Sequence, residues 1–136
     1  MSRYRYSPRS TARLQTCHPD LVLLMCEALA DPDCPSDIIV LEGHRGEARQ
    51  NEMHAAGKSQ LRWPSSRHNS TPSMAVDVAP YVGGAVSWDW EHYHPLADHI
   101  KATWSRLKAE GKVHGELEWG GDWRSFQDGP HWQINR

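Results

Sequence analysis

Residues 74–79 read Met-Ala-Val-Asp-Val-Ala, an apolar strand interrupted by one carboxylate. Period-two alternation sends Met74, Val76 and Val78 one way and Ala75, Asp77 and Ala79 the other. The first set forms a core face. The second is small apart from its acid, which leaves room beside Asp77 for a metal ion and a substrate. A carboxylate inside an apolar strand costs free energy unless something pairs with it, and a metal is the natural partner.

Two flanking stretches supply more of the same chemistry. Ser66-Arg67-His68 precedes the strand, and Asp128-Gly129-Pro130-His131 comes late in the chain. His68, Asp77 and His131 make a ligand set of two imidazoles and one carboxylate. A hydrolytic zinc ion needs three protein ligands, an open position for water and a nearby base. Either histidine alone would more often be an ordinary surface or core residue. Asp128 lies three residues before His131, a spacing that a regular strand would put on opposite faces. The Gly129-Pro130 turn breaks that regularity, so Asp128 fits a general base. The simpler alternative is an Asp-Gly turn residue bonding its own backbone.

Arg45, in Glu42-Gly43-His44-Arg45, is suited to stabilising an oxyanion or binding a substrate carboxylate. A structural ion pair with Glu42 or Glu47 is its other reading, and His44 reads as a loop residue. His92, His94, Asp98 and His99 form a weaker metal candidate, better explained as polar side chains around a helix N-terminus. Glu116 and Glu118 are candidate bases ranked below Asp128. Trp119 and Trp123 flank Gly120-Gly121-Asp122 and are candidates to wall the cleft, with core packing the alternative.

The remaining elements follow from periodicity. Residues 19–30 place Leu21, Leu24, Met25, Ala28 and Leu29 on one helical face, with Pro19 in the first turn and Asp31-Pro32 as the stop. Cys26 is expected in that helix's core. Residues 38–41 read as a buried strand and 47–56 as a helix ended by Gly57. Residues 58–72 have no period and read as a loop. Residues 95–110 carry the stripe Leu96, Ile100, Trp104 and Leu107, closed by Gly111. Residues 113–119 and 131–134 alternate as strands, with His131 and Gln133 on a common face. Helices interleaved with short strands predict an α+β fold, a short antiparallel sheet with flanking helices.

The 136 residues suit one domain, 1–136, in which the basic stretch 1–13 (Arg3, Arg5, Arg9, Arg13) is expected to be a loosely ordered tail. With 15 basic and 17 acidic residues, the chain lacks the strongly basic balance of a nucleic-acid binder. No run approaches the ~20 apolar residues of a membrane span, and no signal peptide is visible. Cys17, Cys26 and Cys34 have no paired CxxC spacing and read as reduced thiols of a protein made in a cytoplasm. A monomer is expected.

In this order, the motifs resemble the zinc D-Ala-D-Ala peptidases and, more closely, the L-alanyl-D-glutamate endopeptidases of bacteriophage endolysins. The resemblance spans roughly residues 14–133. It rests on His18-Pro19-Asp20-Leu21, Glu42-Gly43-His44-Arg45, Gln50, Gly57-Lys58-Ser59, Ser66-Arg67-His68, Ala75-Val76-Asp77, Trp119-Gly120-Gly121-Asp122-Trp123 and Asp128-Gly129-Pro130-His131. It implies a hedgehog/D,D-peptidase-like fold and one zinc per chain on His68, Asp77 and His131. It also implies Asp128 as base, Arg45 in transition-state stabilisation and Ser66 on the substrate side. The substrate it implies is the peptidoglycan stem, cut at L-Ala–D-Glu by a lysin released from the host cytoplasm to the wall. A D,D- or L,D-carboxypeptidase and a non-catalytic zinc-stabilised wall-binding module are the alternatives. Eight residues, Asn69 to Val76, separate His68 from Asp77, where the family's commonest form has six.

Overall fold

The computed structural model describes residues 4–135. The chain runs α1 (Pro8–Leu14), α2 (Pro19–Ala30), β1 (Asp37–Glu42), α3 (Glu47–Ala55), β2 (Ala75–Val82), β3 (Ala85–Val86), α4 (Trp90–Ala109), β4 (Glu116–Trp119) and β5 (His131–Asn135). The strands form one antiparallel sheet in the order β1-β2-β5-β4, with β3 hairpinned onto β2. This is the expected α+β architecture.

The sheet has a core face and a polar face. Val76, Val78, Trp132 and Ile134 join α2 and α4 in the hydrophobic core. All five apolar residues predicted for the α2 stripe are buried, as are the four predicted for α4. The opposite face carries Asp77 and His131, which are cross-strand partners. A register shift between Val40 and Glu42 brings Glu42, rather than Leu41, opposite Asp77. One extra residue in a strand re-aims every side chain beyond it. Glu42, Asp77 and His131 therefore lie in one row across three strands.

Four expectations are corrected. The stretch read as a solvated tail is ordered from residue 4, and Arg3 lies outside the described residues. Ser7 caps α1 by accepting from the Ser10 N–H at 3.1 Å. Ser10 Oγ then accepts from the Val40 N–H at 3.0 Å, and Arg13 Nη1 donates to the Val40 carbonyl at 3.0 Å. Because β1 is an edge strand, α1 covers backbone groups that would otherwise invite another strand. The basic residues of this stretch thus include one that closes an edge.

Cys26 is exposed. It follows Met25 by one helical step of 100°, which carries it off the buried face. The last helix starts at Trp90, five residues before the predicted Pro95. Tyr93 extends the buried stripe one turn toward the N-terminus, and Pro95 is exposed. The single backbone bond that Pro95 cannot make leaves the Glu91 carbonyl beside water, where the loss is small. Pairing of the fourth strand begins only at Glu116, because Gly115 takes φ +88° and turns the chain first.

Among the described residues, no helix is long and apolar enough to cross a membrane.

Candidate metal centre

His68, Asp77 and His131 each present a ligand atom within 4.8 Å of the others. The three arrive on different supports. His68 sits in a 3-10 turn, Arg67–Asn69, capped by Ser66, whose hydroxyl accepts from the His68 N–H. Asp77 and His131 are paired residues of adjacent strands. His68 Nε2 lies 3.1 Å from Asp77 Oδ1, and His131 Nδ1 lies 3.3 Å from the same oxygen. The two imidazole rings meet edge to face at 5.1 Å.

The eight-residue link from His68 to Asp77 is pinned at both ends. Asn69 Nδ2 donates to the Arg45 carbonyl at 2.9 Å, and the Ser73 N–H donates to the Thr16 carbonyl at 2.9 Å. Ser73 Oγ adds a 2.6 Å bond to the Ala75 carbonyl. A longer loop with fixed ends costs little extra entropy, and the ligands still meet.

Each histidine has its other ring nitrogen committed elsewhere. His68 Nδ1 donates to the Gly43 carbonyl at 2.7 Å, which leaves Nε2 as the nitrogen available to a cation. His131 Nε2 contacts Gln133 Oε1 at 2.8 Å, which leaves Nδ1. Both rings are thus tautomerically suited to one cation. Burial alone would raise the Asp77 carboxyl, but the charges and hydrogen bonds of His68 and His131 outweigh it and hold it well below the usual carboxylate range. The same contact raises His131 against the effect of its burial. Two imidazoles around one half-buried carboxylate at the edge of a cleft are a donor set that suits a cation.

Arg45 is 4% exposed and is engaged on three sides. Its Nη2 donates to Glu42 Oε1 at 2.8 Å and to Asp77 Oδ2 at 3.4 Å, while Nη1 donates to Gln50 Oε1 at 2.9 Å. The predicted ion pair with Glu42 is therefore present, and the guanidinium also fixes the second oxygen of Asp77. Gln50, fully buried, carries the arrangement onward. Its Nε2 donates to the Leu61 carbonyl at 2.6 Å, tying down the loop after α3.

Asp128 reaches the site through the expected turn. The His131 N–H donates to the Asp128 carbonyl at 3.2 Å, and the Asp128 N–H donates to the Gly120 carbonyl at 3.1 Å. Trp119 Nε1 holds the turn by donating to the Gly129 carbonyl at 2.7 Å. Burial, reinforced by the Asp77 charge, pushes the Asp128 carboxyl up to about 6. Gly120 makes the close approach possible. A Cβ there would lie 2.4 Å from the Asp128 carbonyl oxygen and 3.1 Å from the His131 Cβ. Gly120→Ala should displace Asp128 and His131 together. We expect it to lower kcat/KM by ~100-fold, the scale of a ~1 Å misplacement, with unchanged turnover ruling out the contact.

A cleft of about 840 Å³ opens over these groups, lined by Ser66, His68, Asp77, Asp128 and His131 among others. Trp123 lines it too. Trp119 does not: it is 4% exposed and stacks on Trp132 at 5.8 Å in the core. The turn it supports is its link to the site. Glu116 is exposed and paired with Lys108. Glu118 has both oxygens occupied, by Trp123 Nε1 and Asn135 Nδ2. Neither lines the cleft. The histidines near α4 disperse: His92 faces Ser87, His99 bonds the Ala28 carbonyl, and His94 packs on Trp90 and Trp119. No local motif marks the Gly43 carbonyl or Gln133 as part of a site. The shared face of His131 and Gln133 was the one available signal.

The model of the family described as phage L-alanyl-D-glutamate peptidase matches residues 1–134. The chain is 30% identical over 106 residues to the peptidoglycan L-alanyl-D-glutamate endopeptidase CwlK of Bacillus subtilis (strain 168), a match covering 72% of this chain. It spans about 60% of the length of that relative. The crystal structure of the Serratia marcescens L-Ala D-Glu endopeptidase ChiX is similar at 36% identity and a TM-score of 0.77. That likeness covers 96% of this chain and 90% of ChiX.

Proposed function

This chain belongs to the phage L-alanyl-D-glutamate peptidase family, and we propose that it is a zinc-dependent endopeptidase that cuts the L-Ala–D-Glu bond of peptidoglycan stem peptides. The observation that carries the reading is the convergence of His68, Asp77 and His131 on the floor of a cleft that also holds Asp128. His68, Asp77 and His131 would hold the zinc. A bound zinc ion supplies Lewis acidity, polarising the scissile carbonyl and acidifying water.

The protein's own groups do the rest. Asp128, with its carboxyl near 6, is ionised at neutral pH yet basic enough to take a proton from the attacking water. It then delivers that proton to the departing amine of D-Glu. Arg45 keeps Asp77 oriented through Oδ2, so that Oδ1 remains between the two imidazoles. Ser66 lines the cleft beside His68, a position suited to contact with the peptide. A role in host-cell lysis belongs to the same proposal.

End-group analysis of digested peptidoglycan tests the bond. A new amine on D-Glu, with L-Ala left on the muramyl lactyl group, is the expected product. Free D-alanine without that amine would mark a carboxypeptidase instead.

A further inference from the structure

Glu118 is an acceptor-only group that begins a hydrogen-bonded chain ending on a metal ligand. Asn135 Nδ2 donates to Glu118 Oε1 at 2.7 Å. Gln133 Nε2 donates to Asn135 Oδ1 at 3.1 Å. Gln133 Oε1 then faces His131 Nε2 at 2.8 Å. The other Glu118 oxygen accepts from Trp123 Nε1 at 2.5 Å, and the Trp123 ring lies 5.1 Å from the His131 ring.

The direction of this chain is forced. A carboxylate cannot donate, so Asn135 must turn its NH₂ toward Glu118 and its oxygen toward Gln133. Gln133 must therefore turn its NH₂ toward Asn135 and its oxygen toward His131. The neutral imidazole must then carry its proton on Nε2, which leaves the Nδ1 lone pair on the side of Asp77 for a cation between them. Register supports the path: Glu118 is the cross-strand partner of Gln133, and His131 that of Asp77.

We propose that Glu118 is a positioning residue that selects which nitrogen of His131 binds the metal, acting through Asn135 and Gln133. The inference rests on the zinc reading above. Its sharpest consequence concerns an isosteric change. In Glu118→Gln, the Trp123 N–H still requires an oxygen, so the new amide presents its NH₂ to Asn135. Asn135 and Gln133 then both reverse, Gln133 donates to His131 Nε2, and the ring proton moves to Nδ1. The lone pair that faced the metal is lost without any change in volume.

The test compares zinc affinity, by competition with a chelator, in wild type, Glu118→Gln and the exchange variant Glu118→Gln/Asn135→Asp. Glu118→Gln should bind zinc ~10- to 100-fold more weakly, the scale reported for partners of metal-bound histidines. The exchange variant has the same charge and side-chain shapes as wild type. Its acceptor-only group now sits at 135, where it satisfies Gln133 directly, so affinity should return to within about threefold of wild type. Melting curves in excess chelator establish that each protein is folded. Nitrogen-15 NMR of the zinc-loaded wild type should find the His131 proton on Nε2, a readout that requires no variant to fold. A proton on Nδ1, equal zinc affinity in wild type and Glu118→Gln, or no recovery in the exchange variant would overturn the inference. Wild-type protein that binds no zinc would overturn this inference together with the zinc reading. Equal affinities would leave that reading intact.

Discussion

Asp128→Asn is expected to retain zinc and lose at least ~100-fold in kcat/KM, the usual scale for removal of a general base. The amide keeps the shape of the side chain but cannot accept the proton of the attacking water. Wild-type activity should fall as pH drops through about 6, where Asp128 becomes protonated. A bound dication draws that limb lower still. The same substitution should stabilise the metal-free protein. The folded-state carboxyl titrates near 6, above its ordinary 3.8, so the native state holds the proton more tightly than the unfolded chain. Stability then falls as pH rises between those values. Above about pH 6 the ionised group is a net cost, and replacing it with Asn should raise apoprotein stability by roughly 1–2 kcal/mol after allowance for its partial exposure. At pH 3 the two proteins should unfold alike. Near-normal turnover in Asp128→Asn would remove Asp128 from the mechanism, and Glu118 could not replace it, because both its oxygens are taken.

His68→Ala and His131→Ala should each reduce bound zinc from about one equivalent to a small fraction and abolish hydrolysis. With only three protein ligands, the proposed site would have no redundancy. The two variants should differ in apoprotein stability. His68 is 1% exposed, and its loss strands the Gly43 carbonyl, an unmade buried hydrogen bond worth ~1–3 kcal/mol. His131 lies against the open cleft, so its removal should cost less. Zinc should raise the melting temperature of wild type, by linkage, and leave both variants unmoved. Elemental analysis and thermal melts read these outcomes directly. Full zinc retention in both variants would move the metal elsewhere.

Local pattern carried much of this fold. Leu21 through Leu29 and Leu96 through Leu107 declared their buried faces because the helical period is insensitive to what packs against it. Asp77 was conspicuous because a carboxylate between Val76 and Val78 has no local reason to be there. His68 and His131 are ordinary taken singly and stand out only as a set with Asp77. Local pattern starts α4 too late because Pro95 is a plausible first-turn residue wherever it stands. Only the packing of Tyr93 shows that the helix began earlier. Pattern does not place Cys26, because one helical step separates it from Met25 and a thiol fits either environment.

By itself, then, the sequence determined the alternation of elements, the core stripes and the identity of the groups able to hold a metal. These depend on residue type and on spacings of a few positions. Tertiary structure decided everything that depends on which strand lies beside which. The bulge that brings Glu42 opposite Asp77, the packing of α1 over the edge of β1 and the withdrawal of Trp119 into the core are of this kind. So is the path from Glu118 to His131. It joins residues up to 17 apart that meet only because β4 and β5 pair in one register. Hydrogen-bond direction passes through space between neighbouring strands, and no pattern along the chain encodes it.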